Sequence, residues 1–129
     1  MILVTGAAGF IGSHVCEALI KEKKQVIGID NFNSYYSPKI KESNIETLKQ
    51  HNSFTLYRED IKNIDSLKNI FKDNKIEKII HLAARVGVRP SISMPEAYVK
   101  DNIQGTLNML ESAKENGIKN FVFGSSSSV

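Results

Sequence analysis

The residues best placed for chemistry lie near the start of the chain. Thr5-Gly6-Ala7-Ala8-Gly9-Phe10-Ile11-Gly12 spaces its glycines as Gly-x-x-Gly-x-x-Gly, between the apolar run Ile2-Leu3-Val4 and a stretch of helical periodicity. The first gap is one residue wider than in the dinucleotide fingerprint, but the physical roles carry over. Gly6 permits a tight turn off a strand, Gly9 lets backbone approach a pyrophosphate with no Cβ in the way, and Gly12 lets the helix pack on the sheet. Phosphate oxygens then meet the unpaired N–H groups and positive dipole end of a helix, with Phe10 and Ile11 as first donors. Asp30 ends the next apolar run, at the distance where a carboxylate can accept hydrogen bonds from both adenosine ribose hydroxyls. Asn31, Phe32 and Asn33 follow it with no arginine to neutralise a 2′-phosphate, so NAD is expected over NADP. Asp60 closes a third run and is a candidate adenine-edge contact. The plainer readings are a tight turn, a strand-end acid and a helix-entry residue.

Such a loop needs a strand before it and a helix after it, and the apolar pattern supplies both. Val26-Ile27-Gly28-Ile29-Asp30 is a second continuous run; Phe54 and Leu56 mark a third strand, Ile79-Ile80-His81-Leu82 a fourth and Phe121-Val122-Phe123 a fifth. Continuous apolar runs of this length suit strands buried on both faces. Between them, helical spacing recurs: Ile11, Val15, Leu19 and Ile20; then Ile40, Ile45 and Leu48; then Ile64, Leu67, Ile70 and Phe71 with Asn63 as a cap. The last set is Val99, Ile103, Leu107 and Leu110, entered through Pro95 and closed by Gly117. Residues 31–38 and 84–94 read as loops. Alternation of this kind implies right-handed crossovers and an α/β, doubly wound parallel sheet of Rossmann type in one domain over 1–129.

Composition narrows the partners. The 129 residues include 17 Lys and Arg against 14 Asp and Glu, a net charge of +3, with 41% hydrophobic residues. The lysines are scattered, and no basic face with aromatic or groove-reading elements points to nucleic acid. No apolar run approaches the ~20 residues of a membrane helix. Cys16 is the only cysteine, which excludes an internal disulfide and needs no oxidising compartment. The start has no basic, cleavable leader, so the cytoplasm is the expected compartment. No spacing of His, Cys, Asp and Glu suggests a metal. His81, in an apolar strand, reads as a satisfied core residue rather than a catalytic base.

These motifs resemble the extended short-chain dehydrogenase/reductases, specifically their nucleotide-sugar epimerases and dehydratases. The resemblance runs through Thr5 to His14, Ile29 to Asn33 with Tyr35 and Tyr36, His81 to Ala84, Gly87 to Ser91, Asn102 to Thr106 and Ser125 to Val129. The Asp-Asn-x-Asn-x-Tyr-Tyr loop together with Gly87-Val88-Arg89 is most similar to UDP-glucuronate 4-epimerases. The resemblance implies that NAD is held by Gly6, Gly9, Phe10, Ile11, Gly12, Asp30, Asn31, Asn33, Asp60, Ile61, Leu82, Ala83, Ala84, Arg85 and Asn102. It implies further that Arg89, Ser127 and Ser128 border a nucleotide sugar and that Ser126 is the catalytic hydroxyl. Related dehydratases carry acids at the places of Ser127 and Ser128, for the acid–base work of losing water; hydroxyls there argue against dehydration.

The same resemblance implies a catalytic Tyr-x-x-x-Lys pair beyond the serine run. No tyrosine follows Ser126 within these residues, and the one such string, Tyr35 to Lys39, contains Pro38. The expectation is therefore the first five strands of a longer epimerase, inactive by itself, whose parent is a homodimer. In that parent a tyrosine phenolate takes the sugar 4-hydroxyl proton while NAD accepts the C4 hydride and later returns it to the other face. Another nucleotide-sugar reductase or dehydratase, or a non-catalytic dinucleotide-binding module, are the alternatives.

Overall fold

The computed structural model describes residues 1–126. Each apolar run forms a four-residue strand: β1 (Ile2–Thr5), β2 (Val26–Ile29), β3 (Phe54–Tyr57), β4 (Lys78–His81) and β5 (Asn120–Phe123). All pair in parallel, in the order β3-β2-β1-β4-β5. In register, Leu3 sits between Ile27 and Ile79. Because side chains alternate across a strand, the five strands feed two cores. Leu3, Ile27, Ile29 and Ile79 join Leu67, Ile70, Phe71, Met109 and Ala113 on one face. Val4, Val26 and Phe54 join Ala7, Ala8, Cys16, Ile45 and Leu48 on the other. Each fully buried aliphatic side chain contributes about 1.5–3 kcal/mol relative to exposure. The chain steps one way from β1 to β3 and the other way from β4 to β5, so the order reverses beside β1 and opens a crevice there.

The helices begin and end where local chemistry directs them. α1 (Phe10–Lys21) starts at Gly9 with no side-chain cap. α2 (Pro38–Ile45) has proline in its first turn and precedes a 3-10 turn, Leu48–Gln50. α3 (Ile64–Asp73) is capped as its sequence suggests: Asn63 Oδ1 accepts the Ser66 N–H at 3.2 Å. The 84–94 loop contains a short helix, α4 (Val88–Ser93). Beyond it, α5 (Pro95–Tyr98), a π-helical turn (Val99–Gln104) and α6 (Gly105–Glu115) follow one another. Gly117 ends α6 at φ +66°, with its N–H on Lys114 O and the Ile118 N–H on Ala113 O, the paired bonds of a glycine-terminated helix.

Val99, Ile103, Leu107 and Leu110 carry the helical spacing, yet that stripe does not face the core: the four are 47–64% exposed. The buried residues of α6 are Gly105, Asn108, Met109, Ser112 and Ala113. The i→i+5 bonding of the π turn shifts the residues before it relative to those after it. Close approach also selects small residues, since a Cβ on Gly105 would lie 2.6 Å from Ile61 Cδ1. The buried Asn108 amide is satisfied by donating to the carbonyls of Ile61 and Lys62 at 3.0 and 3.2 Å.

A buried polar relay locks β1, β4 and α6 at the end of the sheet where the loops meet. Thr5 Oγ1 accepts the N–H groups of Leu82 and Ala83 at 3.2 and 3.1 Å. Its own proton therefore goes to His81 Nδ1, 2.6 Å away. That assigns the hydrogen to Nε2, which donates to Thr106 Oγ1 at 2.9 Å. His81 is 1% exposed and lies between Phe121 and Phe123. Burial pushes its pKa down to about 4, against about 6.5 in an unfolded chain. Between those values the unfolded state binds the extra proton, so stability falls as pH drops from about 6.5 to 4 and is unaffected by this group above that window. The loss is on the order of 3 kcal/mol. Urea titrations across pH 4–7 should show this slope, and His81→Gln should remove it.

Candidate functional site

At the carboxyl ends of β1, β2 and β4 three segments converge on the glycine loop. Gly6 turns off β1 at φ +70°, and a Cβ there would sit 3.0 Å from Ala83 N, just past β4. Gly12 permits the closest approach in the loop, because its Cβ would fall 2.0 Å from Gly6 O. Gly9 differs. Its φ of −72° and ψ of 170° suit any residue, and the nearest atoms to a Cβ there are Gly6 O at 3.1 Å and Tyr36 Oη at 3.8 Å. Its bareness leaves a cradle at the start of α1 that a side chain would fill. Phe10 and Ile11 are exposed beside it, and the Ser13 N–H donates to Gly9 O at 2.9 Å where α1 begins.

Asp30 is not a solvated strand-end acid. It is 5% exposed, and its Oδ2 accepts the Ala8 N–H at 3.1 Å, tying β2 directly to the glycine loop. Oδ1 accepts the Phe32 N–H at 2.8 Å and Lys41 Nζ at 2.8 Å. Three of the carboxylate's roughly four lone-pair sites are thus engaged, which leaves one acceptor position and not the two expected for a pair of ribose hydroxyls. Asn44 of α2 adds a bond from Nδ2 to Ala8 O at 3.0 Å. Burial, with the Asp30 charge second, raises the Tyr36 phenol above its ordinary range. Lys41 and Tyr36 escaped the sequence reading as site residues. Lys41 lies on a helix with few apolar positions, and only the fold turns that helix face onto Asp30.

Several expected contact residues also hold the loops in shape. Asn31 Nδ2 donates to Asp60 Oδ2 at 3.0 Å while its Oδ1 accepts the Asn33 N–H at 2.9 Å. Asn33 Oδ1 accepts the Tyr35 N–H at 2.9 Å, and Asp60 Oδ1 accepts the Lys62 N–H at 2.9 Å. The Ile61 side chain is core and its carbonyl accepts from Asn108. The Leu82 and Ala83 N–H groups are engaged by Thr5; Ala84 is exposed. Asn102 grips the Arg85 backbone at both ends, Oδ1 accepting its N–H at 2.7 Å and Nδ2 donating to its carbonyl at 2.9 Å.

The ring around the crevice is also held by charge. Lys62 bridges Asp60 and Asp101, and Arg85 Nε donates to Asp101 Oδ2 at 2.6 Å. Partial burial opposes ionisation of Asp101, but Lys62 and Arg85 outweigh it and hold its pKa below the usual carboxylate value. Arg89 is exposed on α4 and has no ion-pair partner among the described residues. Ser126 follows β5 and is exposed; the Gly124 N–H on His81 O leads the chain toward it at 2.9 Å. Ser127 and Ser128 lie outside the described residues. Cys16 is buried, with its thiol pushed up to about 12, first by burial, so it is no nucleophile at neutral pH. Among the described residues no cluster of three metal-ligating side chains occurs, and no helix is long and apolar enough to cross a membrane.

An uncapped helix start, a bare glycine and an acid fastened to the same loop, all at the crevice of a parallel sheet, suit a dinucleotide. Comparison with known proteins agrees with this geometry. A UDP-glucuronate 4-epimerase of Thermodesulfobacterium geofontis is 49% identical over 98% of this chain and 39% of its own length. Protein CapI of Staphylococcus aureus is 44% identical over 99% of the chain and 38% of its own length. The chain thus spans about two-fifths of the length of these two curated relatives. A crystal structure of UDP-glucuronic acid 4-epimerase from Bacillus cereus, in complex with UDP-glucuronic acid and NAD, superposes with a TM-score of 0.90 at 44% identity, over 99% of this chain and 40% of that one. Residues 3–129 match the family described as GDP-mannose 4,6 dehydratase, and with the five-stranded parallel sheet and its glycine loop in place, the chain belongs to that family.

Proposed function

We propose that the chain is the NAD-binding half of a nucleotide-sugar 4-epimerase of the UDP-glucuronate type. The observation that carries this reading is the bond from the Ala8 N–H to Asp30 Oδ2. It makes the phosphate-type loop after β1 and the ribose-type acid after β2 a single unit at the switch point. Relatives that are UDP-glucuronate 4-epimerases, and a neighbour solved with UDP-glucuronic acid and NAD, support the substrate class.

NAD supplies a hydride acceptor that can return the hydride to the sugar C4. The backbone from Gly9 to Gly12 holds the pyrophosphate, with Phe10 and Ile11 as donors. Asp30 takes the adenosine ribose, and Asp60 and Ile61 border the adenine. Leu82, Ala83, Ala84 and Arg85 line the cofactor along β4, on a loop that Asn102 and Asp101 keep in place. Arg89, Ser127 and Ser128 border the sugar. Ser126 donates a hydrogen bond to the sugar 4-oxygen as its charge develops, which a preorganised donor stabilises more in the transition state than in the ground state. The base that takes the 4-hydroxyl proton is a tyrosine lowered in pKa by a neighbouring lysine, and residues 1–129 do not contain that pair. A hydroxyl such as that of Ser126 is far too weakly acidic to serve as the base near neutral pH.

The exposed stripe of Val99, Ile103, Leu107 and Leu110 favours a parent that is a homodimer. A reductase or dehydratase acting on a nucleotide sugar is the second reading, favoured by the family's own description; hydroxyls in place of acids after Ser126 weigh against dehydration.

In calorimetric titrations the chain should bind NAD(H) more tightly than NADP(H), and Asp30→Ala should lose that preference. Equal affinities for the unsubstituted chain would overturn the assignment of Asp30. Gly9→Val should abolish NAD binding while circular dichroism still reports a folded domain, since the added branches fill the cradle beside Tyr36. Residues 1–129 alone should convert no UDP-glucuronate to UDP-galacturonate. A chain extended through a downstream Tyr-x-x-x-Lys should do so, and Ser126→Ala in that longer chain should slow kcat about a hundredfold with NAD affinity unchanged.

A further inference from the structure

The absence of arginine after Asp30 suggests that nothing near the ribose site could hold a 2′-phosphate, but the fold brings a cation there. Lys41 Nζ lies 2.8 Å from Asp30 Oδ1, with the two side chains 10% and 4% exposed. Its ammonium also stands 5.6 Å from the Tyr36 ring centroid and 6.0 Å from that of Phe32. The other nearby cation is Arg58. It is committed to Glu42, with nitrogens 2.7 and 2.8 Å from the carboxylate oxygens, and its guanidinium lies 4.0 Å from the Phe32 ring centroid. The ribose-binding acid is therefore not a lone negative charge. It is half of a buried, neutral pair.

We infer that Lys41 is a specificity-determining residue, a phosphate-binding ammonium kept out of use by Asp30. The inference rests on the NAD reading above. While the pair is intact, the carboxylate engages the ammonium and offers its remaining acceptor position to a ribose hydroxyl, so the unphosphorylated dinucleotide is accepted. A 2′-phosphate can offer that carboxylate no hydrogen and brings a second negative charge to it. When the carboxylate is removed, a buried ammonium remains without a counter-charge, which is costly. A dianionic 2′-phosphate supplies the missing charge, whereas a ribose hydroxyl does not. Charge-assisted bonds to phosphate are among the stronger ones available to a protein, so the preference should invert rather than merely fade.

The test is a set of calorimetric titrations with NAD and NADP. The unsubstituted chain should prefer NAD. Asp30→Asn should raise the NADP-to-NAD affinity ratio by about tenfold or more, and Asp30→Asn with Lys41→Met should lose that gain. Lys41→Met alone, which leaves no buried cation unpaired, should lower the ratio below that of the unsubstituted chain, because Asp30 then acts as an uncompensated negative charge. Arg58→Gln should leave the ratio unchanged. An unaltered ratio in Lys41→Met, or an Asp30→Asn gain that survives Lys41→Met, would overturn the role of Lys41 while leaving the NAD reading intact. Failure of the unsubstituted chain to bind either dinucleotide would overturn both.

Discussion

The Asp30 carboxylate is the contact on which the rest of the site depends. One group accepts the Ala8 N–H of the loop after β1, the Phe32 N–H of its own loop and the Lys41 ammonium of α2. Burying both charges carries a desolvation cost of several kcal/mol per ion, offset only when hydrogen bonds satisfy what water has left. Here two backbone donors and the ion pair meet that condition. Loss of either partner would leave the other buried and uncompensated, at about 3–5 kcal/mol. Such a group also fixes position, because three elements must be in register for its bonds to form together.

The second constraint is the reversal of strand order beside β1. It places the Gly6 turn against the chain leaving β4, close enough that a Cβ at Gly6 would meet Ala83 N at 3.0 Å. Backbone packed this tightly leaves little room for adjustment. The Thr5–His81–Thr106 relay then fixes the same two strand ends through hydrogen bonds in a dry setting, where polar groups must be fully satisfied. No buried side-chain nitrogen or oxygen among the described residues lacks a partner, so the polar interior here is a closed network.

Polar residues around the crevice fall into those that can touch a ligand and those that shape the surface it would meet. Asn102 shapes that surface, because both ends of its amide serve the Arg85 backbone. Asn31 and Asn33 build successive side-chain-to-backbone turns that set the path after β2. A motif residue can thus matter to a binding site through the backbone it fixes.

Much of this was legible in the residues themselves. The five apolar runs, the caps at Asn63 and Gly117 and the glycine loop depend on local rules: period, turn chemistry and helix termini act over a few positions. The family resemblance, carried by the motifs from Thr5 to Val129, is likewise written in the sequence and agrees with the matched relatives. Tertiary structure decided what depends on facing. The stripe from Val99 to Leu110 has helical spacing, but spacing does not say which face meets the sheet, and a π turn with small residues at the contact turned it outward. Lys41 is one of many lysines in sequence, and only the packing of α2 on the glycine loop sets it against Asp30. Local pattern specifies which elements form; the charge at a site depends on groups far apart in the chain, whose Coulomb energy is fixed only once folding sets their distance and removes the water between them.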